Sequence, residues 1–191
     1  MNTQAKLWLC EDEQANTLLS TSPLALLIGL VLDQQVPMDR AFRAPELLRQ
    51  RLGRELDCAF LAQMDESELV EVFSEYPALH RFPGAMAKRV QALCRDLLEN
   101  YDGDAAAVWT AAKSGRELLT RIRALPGFGD EKARIFVAFL GKQLGVTPDS
   151  WREVSQPFGE AGTFMSIADI DGPEAFEKVR IHKAQVKAAR K

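Results

Sequence analysis

The stretch "RALPGFGDEKARIFVAFLGKQLGVTPDSW", residues 123–151, contains the features on which the interpretation of this sequence depends. It places Pro126, Gly127 and Gly129 in a short turn, continues with apolar residues at helical spacing, and then reaches Asp149. An amphipathic helical pattern also precedes the turn. The segment therefore predicts two helices joined by a tight glycine turn, with a carboxylate one helix length beyond that turn.

The remainder of the 191-residue chain also predicts helices. Apolar residues recur every three to four positions, and no alternating run of β-branched residues is present. We expect a first helix over residues 4–20 and a second one that opens with Ser22 and Pro23 and is apolar on nearly all sides. The sequence predicts an all-α fold of about ten helices.

Polar residues at helix ends give the expected limits of the helices around the turn. Asp130 is placed to cap the helix that follows the turn, and Gly145 is placed to end it. Farther on, Thr147, Asp149 and Ser150 are all able to cap another helix start. A carboxylate at position 149 therefore has two interpretations, a helix cap or a reactive group.

Composition excludes several classes of protein. With 47% hydrophobic and 27% charged residues, the chain is typical of globular proteins and unlike disordered ones. No apolar run has the length of a membrane span, and the start of the chain lacks the pattern of a signal peptide. We expect an intracellular protein with no membrane partner.

The cysteines argue against a metal centre built from side chains. Cys10, Cys58 and Cys94 are far apart, odd in number and without CxxC spacing. They cannot form a four-thiolate iron–sulfur cluster or a zinc site made of cysteines alone. His80 and His182 do not improve the case for a metal. We expect free thiols and no metal held by side chains.

Charge is distributed unevenly along the chain, whose net charge is −3. Residues 55–75 carry seven acids and no base, whereas residues 113–142 carry seven bases against three acids. The tail, residues 178–191, holds six bases and no acid. A chain that is acidic on average can therefore present one basic face, although a tail that is merely solvated explains the last segment equally well.

The two glycines of the turn have a specific physical use. Gly127 and Gly129 can adopt positive φ and bring bare backbone close to a partner. Successive N–H groups there, next to the start of a helix, form a nest that suits phosphate oxygens. The bases that would attract DNA at long range are Arg121, Arg123, Lys132 and Arg134. A plain corner between two helices, where glycine only relieves sterics, is the alternative, and the residues alone leave both open.

The pattern as a whole resembles a known family. "LPGFGDEKARIFVAFLGKQLGVTPD" resembles the helix-hairpin-helix, Gly/Pro-rich loop and Asp that mark the HhH-GPD superfamily of base-excision DNA glycosylases, in the spacing of the endonuclease III type. "LLIGLVLDQQV", residues 26–36, resembles the helix of that superfamily that ends in a Gln-Gln pair. The residues of this segment are most similar to those of the 3-methyladenine branch. The two matches together cover about a fifth of the chain.

The resemblance implies a two-lobed, all-α HhH-GPD fold with a helix-hairpin-helix motif. Residues 22–144 would form a helical barrel lobe that ends in the hairpin, residues 125–129. Residues 1–21 and 145–191 would together form the second lobe. The target base would be flipped out of the duplex into a cleft between the lobes.

The resemblance also implies the chemistry. Asp149 matches the shared catalytic carboxylate, which stabilises an oxocarbenium-like sugar and orients or deprotonates the attacking water. Members with lyase activity carry a Schiff-base lysine two residues beyond the second hairpin glycine, where this chain has Glu131. Lys132 is rotated from that position by about 100°. We expect a monofunctional glycosylase that acts on a damaged, alkylated base, without lyase activity and without an iron–sulfur cluster.

Further roles follow from the same resemblance. Backbone contacts to DNA are implied for Leu125, Gly127, Phe128, Gly129, Lys132 and Arg134, with a backbone-bound monovalent cation at Leu125 and Gly127. The flipped base and the gap that it leaves are assigned to Gln34, Gln35 and Trp151. The aromatic rings of Phe128, Trp109 and Trp151 have core packing as the alternative to base stacking. Gln34 and Gln35 have backbone hydrogen bonds at a helix end as theirs.

Several expectations concern partners. The partner would be double-stranded DNA with a damaged base, met by a monomer in a bacterial-type cytoplasm, associated with the nucleoid. Around a second Pro-Gly turn, Arg81, Lys88 and Arg89 are expected on a solvated face. The alternative function is a catalytically inactive HhH-fold protein that recognises the duplex backbone or damage. A helical interaction module unrelated to DNA is the third.

Overall fold

The computed structural model describes residues 6–189 of the chain. In that range it holds eleven α-helices, one short 3-10 helix and no strand, so the predicted all-α class is confirmed. The α-helices are α1 (Glu13–Thr21), α2 (Pro23–Leu32), α3 (Met38–Leu52), α4 (Cys58–Gln63), α5 (Glu66–Ser74), α6 (Pro83–Tyr101), α7 (Ala107–Thr110), α8 (Gly115–Ala124), α9 (Asp130–Gln143), α10 (Trp151–Val154) and α11 (Pro173–Ala189). The 3-10 helix is Ile167–Asp169.

The first helix starts later than expected. Residues 6–12 are not helical, and α1 begins at Glu13, so the predicted start within 4–20 is wrong. The physical reason is a cap: the Asp12 carboxylate accepts a hydrogen bond from the backbone N–H of Ala15 at 3.0 Å. Residues 4 and 5 of the predicted helix lie outside the described residues.

The second helix begins as predicted. Ser22 is the N-cap, and its hydroxyl accepts from the backbone N–H of Ala25 at 3.2 Å, with Pro23 as the first helical residue. Nine of the ten residues of α2 are buried. The helix packs against α1, α3 and α6, which explains why it is apolar on all sides.

Packing divides the chain into two compact units. The N-terminal unit is Cys10–Ala107 with Leu125–Gly127. Among the described residues, the C-terminal unit is Val108–Ala124 together with residues 6–9 and 128–189. These bounds differ from the expected lobes, because α1 packs with the N-terminal unit while α8 and α9 belong to the C-terminal unit. The lobes 22–144 and 1–21 plus 145–191 stay a prediction.

The N-terminal unit is built on α2, α3 and α6. Helix α3 packs on α1, α2 and α5, and α6 carries α4 and α5. Phe42 on α3 and Phe73 on α5 are fully buried, as are Leu26, Leu27, Leu30 and Leu32 on α2. Burial of this apolar surface is the main stabilisation of the unit.

The C-terminal unit is built on α8, α9 and α10, with the 3-10 helix packed on α9. Phe136 lies at its centre, with ring centroids 5.6 Å from Trp109 and 6.0 Å from Phe139. A largely buried ion pair joins α9 to the 3-10 helix, with 2.6 Å between Lys142 Nζ and Asp169 Oδ1. This pair fixes the end of α9 relative to the chain that follows it.

The described residues also bear on the expectations from composition. The three cysteines are free, as expected, and all three are buried. The pKa of the Cys94 thiol is raised, mainly by its hydrogen bond with the Cys58 thiol and secondly by burial. Among residues 6–189, no group of three or more His, Cys, Asp or Glu side chains is placed to hold a metal. In the same range no single helix is long and apolar enough to cross a membrane; α1 and α2 reach that size only as a pair bent by 118°.

Candidate functional site

The backbone of the hairpin turn differs at its two glycines. Gly127 has φ +89°, as expected, but Gly129 has φ −81° and ψ 175°, which any residue adopts. The expectation of positive φ is therefore wrong for Gly129. A Cβ placed on Gly129 would meet no atom within 4 Å. Neither backbone conformation nor internal packing requires glycine there.

The turn also presents free backbone donors. The N–H groups of Gly127, Phe128 and Gly129 donate to no oxygen among the described residues. Gly129, and not Asp130, is the N-cap of α9, so the predicted cap is wrong. No side chain supplies the capping hydrogen bond, which leaves the start of α9 open to an outside acceptor.

Asp130 instead neutralises bases beside the turn. Its carboxylate pairs with Arg123 and lies 2.8 Å from Arg134 Nη2. Arg134 Nη1 donates to the carbonyl of Gln156 at 2.9 Å. Two of the bases expected to attract DNA are thus engaged within the protein, which weakens their long-range attraction.

The aromatic rings assigned to base stacking are buried. Phe128 is 6% exposed, with its ring centroid 6.2 Å from that of Phe136 and the Lys132 ammonium 5.9 Å above it. Trp109 and Trp151 are equally covered. This burial favours the core alternative for all three rings.

Asp149 stands outside any helix and keeps its carboxylate exposed. The carboxylate accepts no hydrogen bond and forms no ion pair with the described residues. The N-cap of α10 is Ser150, at φ +63°, and no side chain makes a capping hydrogen bond there. The interpretation of Asp149 as a helix cap is therefore wrong, and its charge is available to a ligand.

The turn that carries Asp149 is fixed by close packing. The backbone N–H of Gly115 donates to the carbonyl of Asp149 at 2.7 Å. A Cβ on Gly115 would lie 2.6 Å from the Cα of Trp151, and one on Gly141 would lie 2.3 Å from the ring of Trp151. Only glycine lets α8 and α9 approach the tryptophan this closely. Spacing in the sequence gave no signal for either glycine.

Gln34 is held by a polar network in the N-terminal unit. Its Nε2 donates to the carbonyl of Val31 at 2.7 Å, and its Oε1 accepts from Arg89 Nη1 at 3.0 Å. Its backbone carbonyl lies 2.9 Å from His80 Nε2. Because both ends of the side chain are bonded, the backbone-bonding alternative describes Gln34 better than a free group facing DNA.

Gln35 is the opposite case. It is exposed, has φ +56°, and forms no hydrogen bond or ion pair with the described residues. The two glutamines are adjacent in the sequence, but the structure gives them different surroundings: the side chain of Gln34 is bonded within the protein, and that of Gln35 is exposed to solvent. Sequence spacing could not separate them.

Arg89 and His80 were not recognised from the sequence. Arg89 was expected on a solvated face but is half-buried and bonded to Gln34, so that expectation is wrong for it. His80 is 1% exposed. Lys88 and Arg81 are exposed, as expected. No local pattern identifies Arg89, because its partner Gln34 lies 55 positions away in the sequence.

Left-handed backbone coincides with the two sequence motifs. Among the described residues, the non-glycine residues at positive φ are Gln35, Asp102 and Ser150. Asp102 is the C-cap of α6, a common place for this conformation. The other two lie in the Gln-Gln loop and beside Asp149. Such conformations cost about 1–3 kcal/mol and concentrate at functional sites.

No known protein family matches this chain, and no characterised protein matches it either.

Proposed function

We propose that this chain is an HhH-GPD protein with the two-lobed fold of that superfamily, and a monofunctional DNA glycosylase of base-excision repair. It hydrolyses the N-glycosidic bond of a damaged, alkylated base flipped out of duplex DNA. The observation that carries the proposal is Asp149, an exposed carboxylate without a partner in residues 6–189, on a turn held rigid by glycine packing. The resemblance in sequence supplies the reaction class.

The chemistry follows from that carboxylate. As the bond between the sugar and the base lengthens, positive charge develops on the sugar, and Asp149 stabilises it. Asp149 also accepts a proton from the attacking water, whose oxygen forms the new bond to the sugar carbon. The base leaves with the bonding electron pair. A ring that alkylation has made cationic leaves as a neutral molecule and needs no further proton.

The turn at residues 125–129 holds the DNA backbone in this proposal. Three unbonded N–H groups there supply donors for phosphate oxygens, and the carbonyls of Leu125 and Gly127 supply ligands for a monovalent cation. The partner is double-stranded DNA, met by a monomer at the bacterial nucleoid. No other cofactor is needed. Because Asp130 neutralises nearby bases, we expect affinity to depend more on these donors than on long-range attraction.

Base release tests the proposal directly. Duplexes that each carry one lesion, alkylated purines first, are incubated with the protein, and free base is measured. Asp149→Asn should lower the rate of release by about 10²-fold or more, because it removes the charge that stabilises the sugar. Its affinity for duplex DNA should be unchanged. Tight binding without release of any base would instead support the inactive DNA-binding alternative.

The role of the turn has its own test. Gly129→Ala should lower stability only by the modest preference for glycine over alanine at an N-cap, since its Cβ meets no atom of the protein, but it should weaken duplex binding by obstructing the backbone of the DNA. Gly172→Ala is a matched control, because Gly172 also precedes a helix and is open within 4 Å. Equal affinity of both variants would remove the turn from the binding surface.

The absence of lyase chemistry is tested by borohydride trapping. Glu131 is exposed on the first turn of α9 and offers no amine for a Schiff base. We expect no covalent adduct with DNA and no nicked strand. A trapped adduct would show that another lysine takes the nucleophilic role.

A further inference from the structure

Arg89 touches both sequence motifs within the N-terminal unit. Its Nη1 donates to Gln34 Oε1 at 3.0 Å. Its aliphatic stem lies against the hairpin, where a Cβ on Gly127 would be 2.9 Å from Arg89 Cδ. One half-buried side chain thus packs on the turn with its stem and binds the Gln-Gln loop with its head.

The other contacts of Gln34 make this arrangement rigid. The backbone N–H of Phe82 donates to His80 Nδ1 at 3.0 Å, so the proton of the neutral ring is on Nε2. That Nε2–H therefore donates to the carbonyl of Gln34. Gln34 is held at its backbone by His80 and at its side chain by Arg89. The next residue, Gln35, is left projecting in a left-handed conformation.

We propose that Arg89 is a positioning residue that couples the DNA-holding turn to the loop that enters the duplex. It sets the distance between Gly127, where the backbone is gripped, and Gln35, which occupies the gap left by the extruded nucleotide. The inference rests on the proposed function. It assigns to Arg89 a role that needs no contact with DNA.

A phosphate contact is the competing role for the same guanidinium, and salt separates the two. Each phosphate contact contributes close to one unit to the slope of log K against log salt. An arginine occupied by Gln34 should contribute nothing to that slope. Lys88, the exposed neighbour on α6 paired with Glu66, is the control for loss of one charge.

The experiment compares Arg89→Met, Arg89→Lys and Lys88→Met. Methionine keeps an unbranched stem against Gly127 and loses the hydrogen bond to Gln34, whereas lysine keeps a donor. The probe is a duplex with 2-aminopurine beside a lesion, whose fluorescence rises when the neighbouring base leaves the stack. Arg89→Met should reduce extrusion and base release by about tenfold to a hundredfold, the range for a small misplacement. Binding of undamaged duplex and its salt slope should match those of the wild type.

Two further results complete the design. Arg89→Lys should recover most of the extrusion, and Lys88→Met should keep all of it. In a double-mutant cycle of Arg89→Met with Gln34→Ala, measured by thermal unfolding, the losses of stability should be non-additive, because each variant removes the same hydrogen bond.

The outcomes separate two failures. If the wild type binds duplex but extrudes no base, the proposed function falls and takes this inference with it. If the wild type extrudes the base and Arg89→Met does so equally well, or if the salt slope falls by about one, Arg89 is not a positioning residue. Additive unfolding losses would also overturn the coupling.

Discussion

The loop that carries Asp149 and the loop that carries Gln35 both contain a strained backbone conformation, but different interactions stabilise it. Each places a non-glycine residue in the left-handed conformation, Ser150 at φ +63° and Gln35 at φ +56°. The first loop is held by its backbone packed against Gly115 and by the ring of Trp151 packed against Gly141. The second is held by hydrogen bonds from side chains.

The difference teaches how each loop should respond to change. Packing of backbone against glycine leaves no room for any side chain, so an added methyl group must move the loop. A hydrogen-bond network tolerates any replacement that keeps its donors. We therefore expect the Asp149 loop to be sensitive to size and the Gln35 loop to be sensitive to polarity.

The largest effect is expected for Gly115→Ala. The new Cβ would lie within 2.8 Å of three backbone atoms of Ser150 and Trp151, which cannot rotate away. Overpacking of this kind should lower the free energy of unfolding by about 3 kcal/mol. Base release should fall as well, because the hydrogen bond from Gly115 to the Asp149 carbonyl is displaced. Chemical denaturation and the release assay measure the two effects.

Gly84→Ala serves as the control for that variant. Gly84 lies in the first turn of α6, and its Cβ would meet only Val70 at an ordinary 3.7 Å. Stability should be unchanged or slightly higher, because alanine favours helix. If Gly115→Ala were as stable as Gly84→Ala, the close packing around Asp149 would not be rigid.

His80→Phe should have the next largest effect. Phenylalanine keeps a buried ring but leaves the carbonyl of Gln34 and the N–H of Phe82 without their partner. Loss of these hydrogen bonds should lower the free energy of unfolding by about 2 kcal/mol. His182→Phe, on the partly exposed side of α11, is the control and should change stability little. Equal stabilities would mean that the Gln35 loop does not depend on its network.

The smallest effects are expected for Ser150→Gly and Gln35→Gly. Glycine adopts positive φ without strain, which offsets its greater freedom in the unfolded chain, so stability should change by less than about 1 kcal/mol in both. Their function should differ: Gln35→Gly loses base extrusion, whereas Ser150→Gly keeps it. Identical extrusion by both would show that the Gln35 side chain is not the group that enters the duplex.

Much of the local fold could be predicted from the sequence because its signals are short-range. Ser22 and Pro23 mark the start of α2 through a cap and a fixed φ, and the structure confirms this. The all-α class followed from periodicity alone. The capping residue Asp12 lies inside the predicted first helix, so the prediction placed the start of that helix too early.

The candidate site was less accessible for the opposite reason. Gly115 lies 34 positions before Asp149, and Gly141 lies within the apolar pattern of α9; only the packing of α8, α9 and α10 makes glycine necessary at both. Arg89 looked like a surface cation because its partner is 55 positions away. Long-range contacts of this kind leave no periodic trace in one sequence.

The open space around Gly129 makes this position suitable for measuring contact with an external molecule. Because the protein sets no steric limit and needs no positive φ at this N-cap position, mutant abundance in a saturation library should follow N-cap preference alone, highest for Ser, Thr, Asn and Asp. Any steep preference for glycine under selection by DNA damage would then report the approach of an external molecule alone. Substitutions at this position can therefore separate effects on protein stability from effects on ligand binding.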